Sequence, residues 1–166
     1  MRKIISFVLA FYLLAGKAAP GGEPLAIFGD WYFFKYVNSE SKLICYIMSA
    51  PKSRYDNFNK RGQSFFTIIQ ENGLDYQEIY LSFGINYNKN ITSAELEIAK
   101  HKFPILAFED KAWAYNKTDD GEIMSKIGGA VFFSVVVSFE NGKNLMDVYS
   151  SIGFAEALEY LKKNCR

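Results

Sequence analysis

One histidine, His101, two cysteines, Cys45 and Cys165, and a few closely spaced acids are the residues of this 166-residue chain that could do chemistry. A nucleophilic triad or a Cys–His pair needs a histidine held by a carboxylate or amide. His101 stands between Lys100 and Lys102 in a polar connection and reads as a surface-loop residue. One histidine and two cysteines 120 positions apart do not make a zinc site. Glu95 and Glu97 fall on one face of an alternating segment, as the polar side of a strand would. Asp119-Asp120 suits a helix start, where the macrodipole favours negative charge, better than a metal pair. Neither a P-loop nor a dinucleotide fingerprint occurs. No catalytic residue, metal site or cofactor is assigned, and the expected class is non-enzymatic.

The segment 52–61 remains as a candidate for binding. Lys52, Arg54, Lys60 and Arg61 alternate there with the aromatics Tyr55 and Phe58. Cations interleaved with aromatics hold a polyanion or sugar by charge and stacking. As a loop the segment is expected to be solvated, with Asp56 diluting its charge. Replacing all four cations by glutamine is then expected to leave the thermal melt nearly intact.

The surrounding sequence is rich in strand signals. Aromatic residues make up 17% of the chain, and Tyr, Phe and Ile dominate where a helical protein would use Ala and Leu. G-D-W-Y-F-F-K-Y-V and K-L-I-C-Y-I-M-S-A-P flank Asn38-Ser39-Glu40-Ser41, which reads as two strands and a turn, the second stopped by Pro51. Ser64–Gln70 reads as a buried strand. Gln77–Phe83 and Ser93–Ile98 alternate with period two, placing Ile79, Leu81, Phe83, Ala94, Leu96 and Ile98 inward. Pro104 marks Phe103–Phe108 as an edge or strand-initiating segment, and Ala112–Tyr115 suits another short strand. A short helix is expected from Asp119 to Gly128-Gly129, with Ile123 and Ile127 on one face. Ala130–Phe139 and Leu145–Tyr149 flank Asn141-Gly142, a strong hairpin signal. Ser150-Ser151 suits the cap of a closing helix, Gly153–Lys163. The expected fold is mainly β, an antiparallel β-sandwich or partly closed barrel with one short helix and a C-terminal helix.

The N-terminus has the three parts of a secretory signal peptide. Met1-Arg2-Lys3 is basic, Ile4–Leu14 is apolar but for Ser6, and Gly16 and Ala18 are small. Cleavage after Ala18 is expected, giving a signal peptide over 1–18 and a single domain over 19–166. The apolar run is shorter than the ~20 residues of a membrane span, so no transmembrane anchor is expected after cleavage. Loss of Arg2, Lys3 and Lys17 leaves 16 basic against 18 acidic side chains, which argues against nucleic acid as a partner. For an exported chain, the two cysteines suggest one disulfide, Cys45–Cys165, with two free thiols as the alternative.

Several short motifs resemble the invasion-associated locus B (IalB) family of small exported alphaproteobacterial proteins. They are Gly29-Asp30-Trp31, then Lys42–Ile47 with the following Ser49-Ala50-Pro51, then Lys60-Arg61-Gly62, and Tyr149–Leu158 at the end. The resemblance spans nearly the whole mature chain and is nearest to the divergent branch found in intracellular bacteria. Many members carry a cysteine soon after G-D-W, where this chain has Lys35 or Tyr36, and a C-x-x-x-C pair in the region of Phe108–Trp113, where it has none. The resemblance implies a β-rich periplasmic, secreted or surface-associated protein linked to host-cell invasion, with no active site to carry over. Its expected partner is an envelope or host-surface protein or polyanion. The rival expectation is a periplasmic ligand-binding or inhibitor module with a cleft for a small apolar or glycan ligand.

Overall fold

The structure, a computed structural model, describes residues 22–58, 60–85 and 91–165. The signal-peptide segment lies outside these, as does the polar connection 86–90. Two antiparallel sheets face each other. The larger contains β1 (Ala26–Phe28), β2 (Trp31–Val37), β3 (Leu43–Ser49), β5 (Phe65–Glu71), β6 (Glu78–Ser82), β9 (Leu106–Phe108) and β10 (Lys111–Trp113), in the order β1-β2-β3-β5-β6-β10-β9. The smaller contains β4 (Ser53–Asp56), β7 (Ile91–Ile98), β8 (His101–Pro104), β11 (Phe132–Phe139) and β12 (Asn144–Ser150), in the order β4-β12-β11-β7-β8. Helix α1 spans Lys117–Gly128 and α2 spans Phe154–Asn164. The sheets do not close into a barrel, and the architecture is a β-sandwich carrying a C-terminal helix.

Period-two patterning sets which side chains enter the core. Ile79 and Leu81 of β6 and Ala94, Leu96 and Ile98 of β7 are all buried, as the alternation requires. An aromatic chain runs through the sandwich. Phe154 meets Trp31 edge-on at 4.9 Å, Trp31 meets Phe66 at 6.1 Å, Phe66 meets Phe133 at 4.9 Å, and Phe133 stacks on Tyr149 at 5.4 Å. Each such pair contributes about 0.5–1.5 kcal/mol beyond the area it buries. The chain links α2, the larger sheet and the smaller sheet in one core. Pro104 ends β8, an edge strand, where its missing N–H costs no ladder bond.

The expected β11–β12 hairpin forms, and the two expected helix starts are corrected. The Asn141-Gly142 connection is a three-residue loop, closed by Gly142 N–H to Phe139 O (3.0 Å), and Gly142 alone of the pair has a positive φ (75°). This is the arrangement in which a glycine in the left-handed region follows an ordinary turn. Helix α1 starts two residues before Asp119, because the Asn116 side-chain oxygen accepts from the N–H groups of Thr118 and Asp119. Helix α2 is not capped by Ser150-Ser151. Gly153 takes that position at φ 84°, and the Ser150 hydroxyl accepts from Ile152 N–H instead. A Cβ at Gly153 would stand 2.0 Å from the Phe28 carbonyl oxygen, so only glycine lets β1 and the α2 N-terminus approach this closely.

Asp120 has a role its sequence position did not suggest. It is buried on the inner side of α1, and its carboxylate accepts the Ile79 N–H of β6 at 2.8 Å. Burial pushes this carboxyl up from 3.8, against the pull of the Ile79 N–H. The folded protein therefore holds the proton more tightly than the unfolded chain does. Stability falls as pH rises from 3.8 through the folded value, and the full cost is present above it. Asp120→Asn keeps an acceptor and removes this cost. In urea denaturation between pH 4 and 7 the parent should gain on the variant as pH falls; a constant difference would show that Asp120 titrates alike in both states.

Candidate functional site

The basic segment is only in part a loop, although Lys52, Arg54, Tyr55 and Lys60 are exposed as expected. Residues Ser53–Asp56 are β4, an edge strand paired with β12 through Arg54 opposite Asp147 and Tyr55 opposite Met146. The Lys52 ammonium lies on the Asp30 carboxylate, and that hydrogen bond holds the Asp30 carboxyl below its ordinary value. Arg54 donates from Nη2 to Gly62 O at 2.7 Å, with Nε 3.7 Å from Asp147. Phe58 packs edge-on to Phe139 at 5.3 Å, with the Lys143 ammonium 4.8 Å above its ring. Tyr55 and Lys60 are exposed, and no ion pair among the described residues includes Lys60.

Arg61 is the largest departure from expectation. Its side chain is 3% exposed. Nη1 donates to Asp147 Oδ1 at 2.7 Å and to Asp56 Oδ2 at 3.2 Å, Nη2 pairs with Asp147 Oδ2, and Nε donates to Phe83 O at 2.6 Å. The planar fork thus ties the connection after β4 to both sheets. The six residues grouped by sequence are divided among an ion-paired cation (Lys52), an edge strand (Arg54, Tyr55), a packed ring (Phe58), an exposed cation (Lys60) and a buried clamp (Arg61).

The remaining candidates also take structural places. Cys45 and Cys165 form a disulfide with Cα atoms 5.7 Å apart, joining β3 to the end of α2. The Lys102 ammonium bridges Glu95 (3.0 Å) and Glu97 on the outer side of the smaller sheet. His101 lies in β8, not a loop, half-buried with its ring 6.3 Å from Phe103. Among the described residues no cluster of three or more His, Cys, Asp or Glu could hold a metal ion.

Two depressions test the idea of a ligand cleft. Met124, Gly128, Phe154, Ala155, Leu158 and Lys162 line one of about 250 Å³ between the helices. This is below the ~300 Å³ at which small-molecule sites begin. The second, about 520 Å³, is an open groove beside Cys165 walled largely by polar residues, including Gln70, Asn72, Asp75 and Gln77.

A different surface emerges only from strand order. Both helices and the smaller sheet pack on the inner side of the larger sheet, through Cys45, Trp31 and Phe33. On its outer side one residue from every strand forms a continuous row: Ile27, Tyr32, Met48, Thr67, Tyr80, Trp113, Leu106. The next row reads Phe34, Tyr46, Ile69, Glu78, and the one after it Tyr36, Ile44, Glu71. Phe34 stacks on Tyr46 at 5.0 Å, Tyr36 meets Tyr46 edge-on at 6.0 Å, and Tyr80 meets Trp113 at 6.0 Å. Ile27, Tyr32, Tyr36, Leu106, Phe108 and Trp113, toward the two edges of the sheet, are exposed, whereas Phe34, Ile44, Met48 and Thr67 between them are buried. Burial pushes the Tyr46 and Tyr80 phenols up. The available sequence signal was that β2 and β3 are apolar at nearly every position, where a one-sided strand would alternate.

The motifs at the two ends of the chain meet in one joint. Asp30 N–H donates to Ile152 O at 3.0 Å, the buried Trp31 indole donates to Ser150 O at 3.0 Å, and Gly29 lies against Ile152. Fold and surface together define a disulfide-fastened β-sandwich with an aromatic outer face. No family model, curated protein or solved structure matches the chain.

Proposed function

We propose that this is an exported, non-enzymatic, IalB-like protein that acts through protein contacts in the periplasm or at the cell surface, in keeping with a part in host-cell invasion. The observation that carries the reading is the outer face of the larger sheet, where Ile27, Tyr32 and Tyr36 at one edge and Leu106, Phe108 and Trp113 at the other are exposed, with Phe34, Ile44 and Met48 buried between them. Large apolar side chains exposed along the edges of a sheet are candidates for contact with a partner protein. Tyr, Trp, Phe and Met in place of Lys, Glu and Asp is the composition of an interface core. Export is supported by the disulfide, which persists in oxidising compartments. Among the described residues no helix is long and apolar enough to cross a membrane.

Placing a photo-crosslinking amino acid at Tyr36 or Trp113 in the exported protein tests this reading in cells. Irradiation should yield covalent protein adducts from both positions. A probe at Tyr55, on the outer side of the other sheet, should yield few. Absence of adducts from positions 36 and 113 would overturn the reading.

A further inference from the structure

We propose that one end of the sandwich docks on an anionic lipid bilayer, with Val131, Phe132 and Ile152 entering the interface and Lys100 and Lys126 meeting the acidic headgroups. The inference goes beyond the protein-contact reading and uses none of its residues.

Strand register brings the connections at this end together. Phe132 begins β11 opposite Ser150, the last residue of β12. Strand β7 ends at Ile98 opposite Phe133, which carries the Ala99-Lys100 turn to the same end. Ser151 N–H donates to Val131 O at 2.9 Å, and Ile152 O accepts from Asp30 N–H in the β1–β2 turn. Lys126 lies in the last turn of α1, whose Gly129-Ala130 connection leads directly to Val131.

This end is apolar at its tips and basic around them. Val131, Phe132 and Ile152 are 65%, 51% and 58% exposed. Lys100 is exposed, and no ion pair among the described residues includes Lys100 or Lys126. Asp30 is paired with Lys52 and Glu97 with Lys102, which leaves Glu156, exposed in the first turn of α2, to oppose the two lysines.

Area and charge together favour a bilayer over a protein. Three side chains about half exposed uncover on the order of 300 Å², the size at which apolar patches begin to mark function. A specific protein interface takes about 800 Å² from each partner. A bilayer needs no matched surface, only apolar side chains that reach the acyl boundary and cations that stay among acidic headgroups. Immersion is costly where backbone groups lack partners. Here the N–H groups of Asp30, Gly129, Ala130, Ser151 and Ile152 are all bonded within the protein.

Vesicle flotation of the exported protein tests this, with mixed phosphatidylglycerol–phosphatidylcholine vesicles against phosphatidylcholine alone. At about 50 mM salt the protein should float with the mixed vesicles, and about 0.5 M salt should release most of it, since exposed charges are then screened. Phe132→Ser with Ile152→Ser should lower the partition coefficient at least ~10-fold, because apolar area no longer leaves water. The thermal melt of that variant should stay nearly unchanged, both side chains being solvent-facing. Lys100→Gln and Lys126→Gln should each lower partition about 5-fold. Tyr55→Ser, farther along the smaller sheet, should leave it unchanged. Should the serine pair fail to fold, the two lysine variants and the lipid preference decide the question. No flotation at low salt would overturn the proposal, as would equal binding to both lipids or flotation indifferent to the serine and glutamine changes. Protein adducts from a photo-crosslinker at position 132, without flotation, would overturn it in favour of a protein partner.

Discussion

Replacing Arg61 by methionine should destabilise the protein by about 3–5 kcal/mol, the cost of taking the bidentate partner from a buried carboxylate and leaving it only the Arg54 Nε at 3.7 Å. Asp147 is fully buried, and Arg61 supplies two guanidinium nitrogens to its two oxygens. Methionine fills much of the volume but offers no donor to Asp147, Asp56 or the Phe83 carbonyl. The double variant Arg61→Met, Asp147→Leu should recover a large part of the loss, because removing both charges also removes their desolvation. Lys60→Gln, one position earlier but exposed, should stay within about 0.5 kcal/mol of the parent. Urea denaturation of the four proteins checks this, and equal midpoints for Arg61→Met and Lys60→Gln would refute the clamp. A quadruple exchange of Lys52, Arg54, Lys60 and Arg61 should unfold the protein at lower temperature instead of sparing the melt, because Arg61 belongs to the interior.

Removing the disulfide should cost about 2–5 kcal/mol, with about 5 kcal/mol as the ceiling that loop closure allows for so long a separation. The Cys45→Ala, Cys165→Ala pair is the better variant, since both positions are buried and neither alanine adds a polar atom there. The bond joins β3 to the end of α2, whose Tyr160 ring packs against Phe28 and Phe33 at 5.0 Å each. Its loss should therefore loosen the last turns of α2 before the sheets open. Thermal melts of parent, variant and reduced parent check this, with the reduced parent and the variant expected to coincide. Alkylation of both thiols in the native, unreduced protein would show that the bond is absent.

Much of the architecture was legible because it is local. Period-two alternation in Gln77–Phe83 and Ser93–Ile98 assigned inward residues that are all buried, since a strand's side chains alternate whatever lies next to it. Pro104 at an edge and the closing helix with Phe154 and Leu161 inward followed from equally short-range rules. The cysteine pairing was half legible: two cysteines limit the choice to one bond or none, and only their separation in space selects the bond.

What tertiary structure decided is what depends on distant partners. Arg61 looked like one of four loop cations because nothing in its neighbourhood points to Asp147, 86 positions away on β12. Once β4 pairs with β12 the guanidinium is carried inward, and burial with a carboxylate replaces solvation. Asp120 fitted a helix start from sequence, yet its main contact is a strand N–H 41 positions earlier. The outer aromatic face belongs to no segment at all. Each strand supplies one or a few of its side chains, and only the order β1-β2-β3-β5-β6-β10-β9 aligns Tyr32, Tyr80 and Trp113 in one row. Sequence alone thus determined which residues form strands and which of their faces is apolar, because both follow from backbone geometry and side-chain period. Tertiary structure decided which charges are held in the interior and which apolar side chains stay exposed at the sheet edges, because both depend on what packs against them.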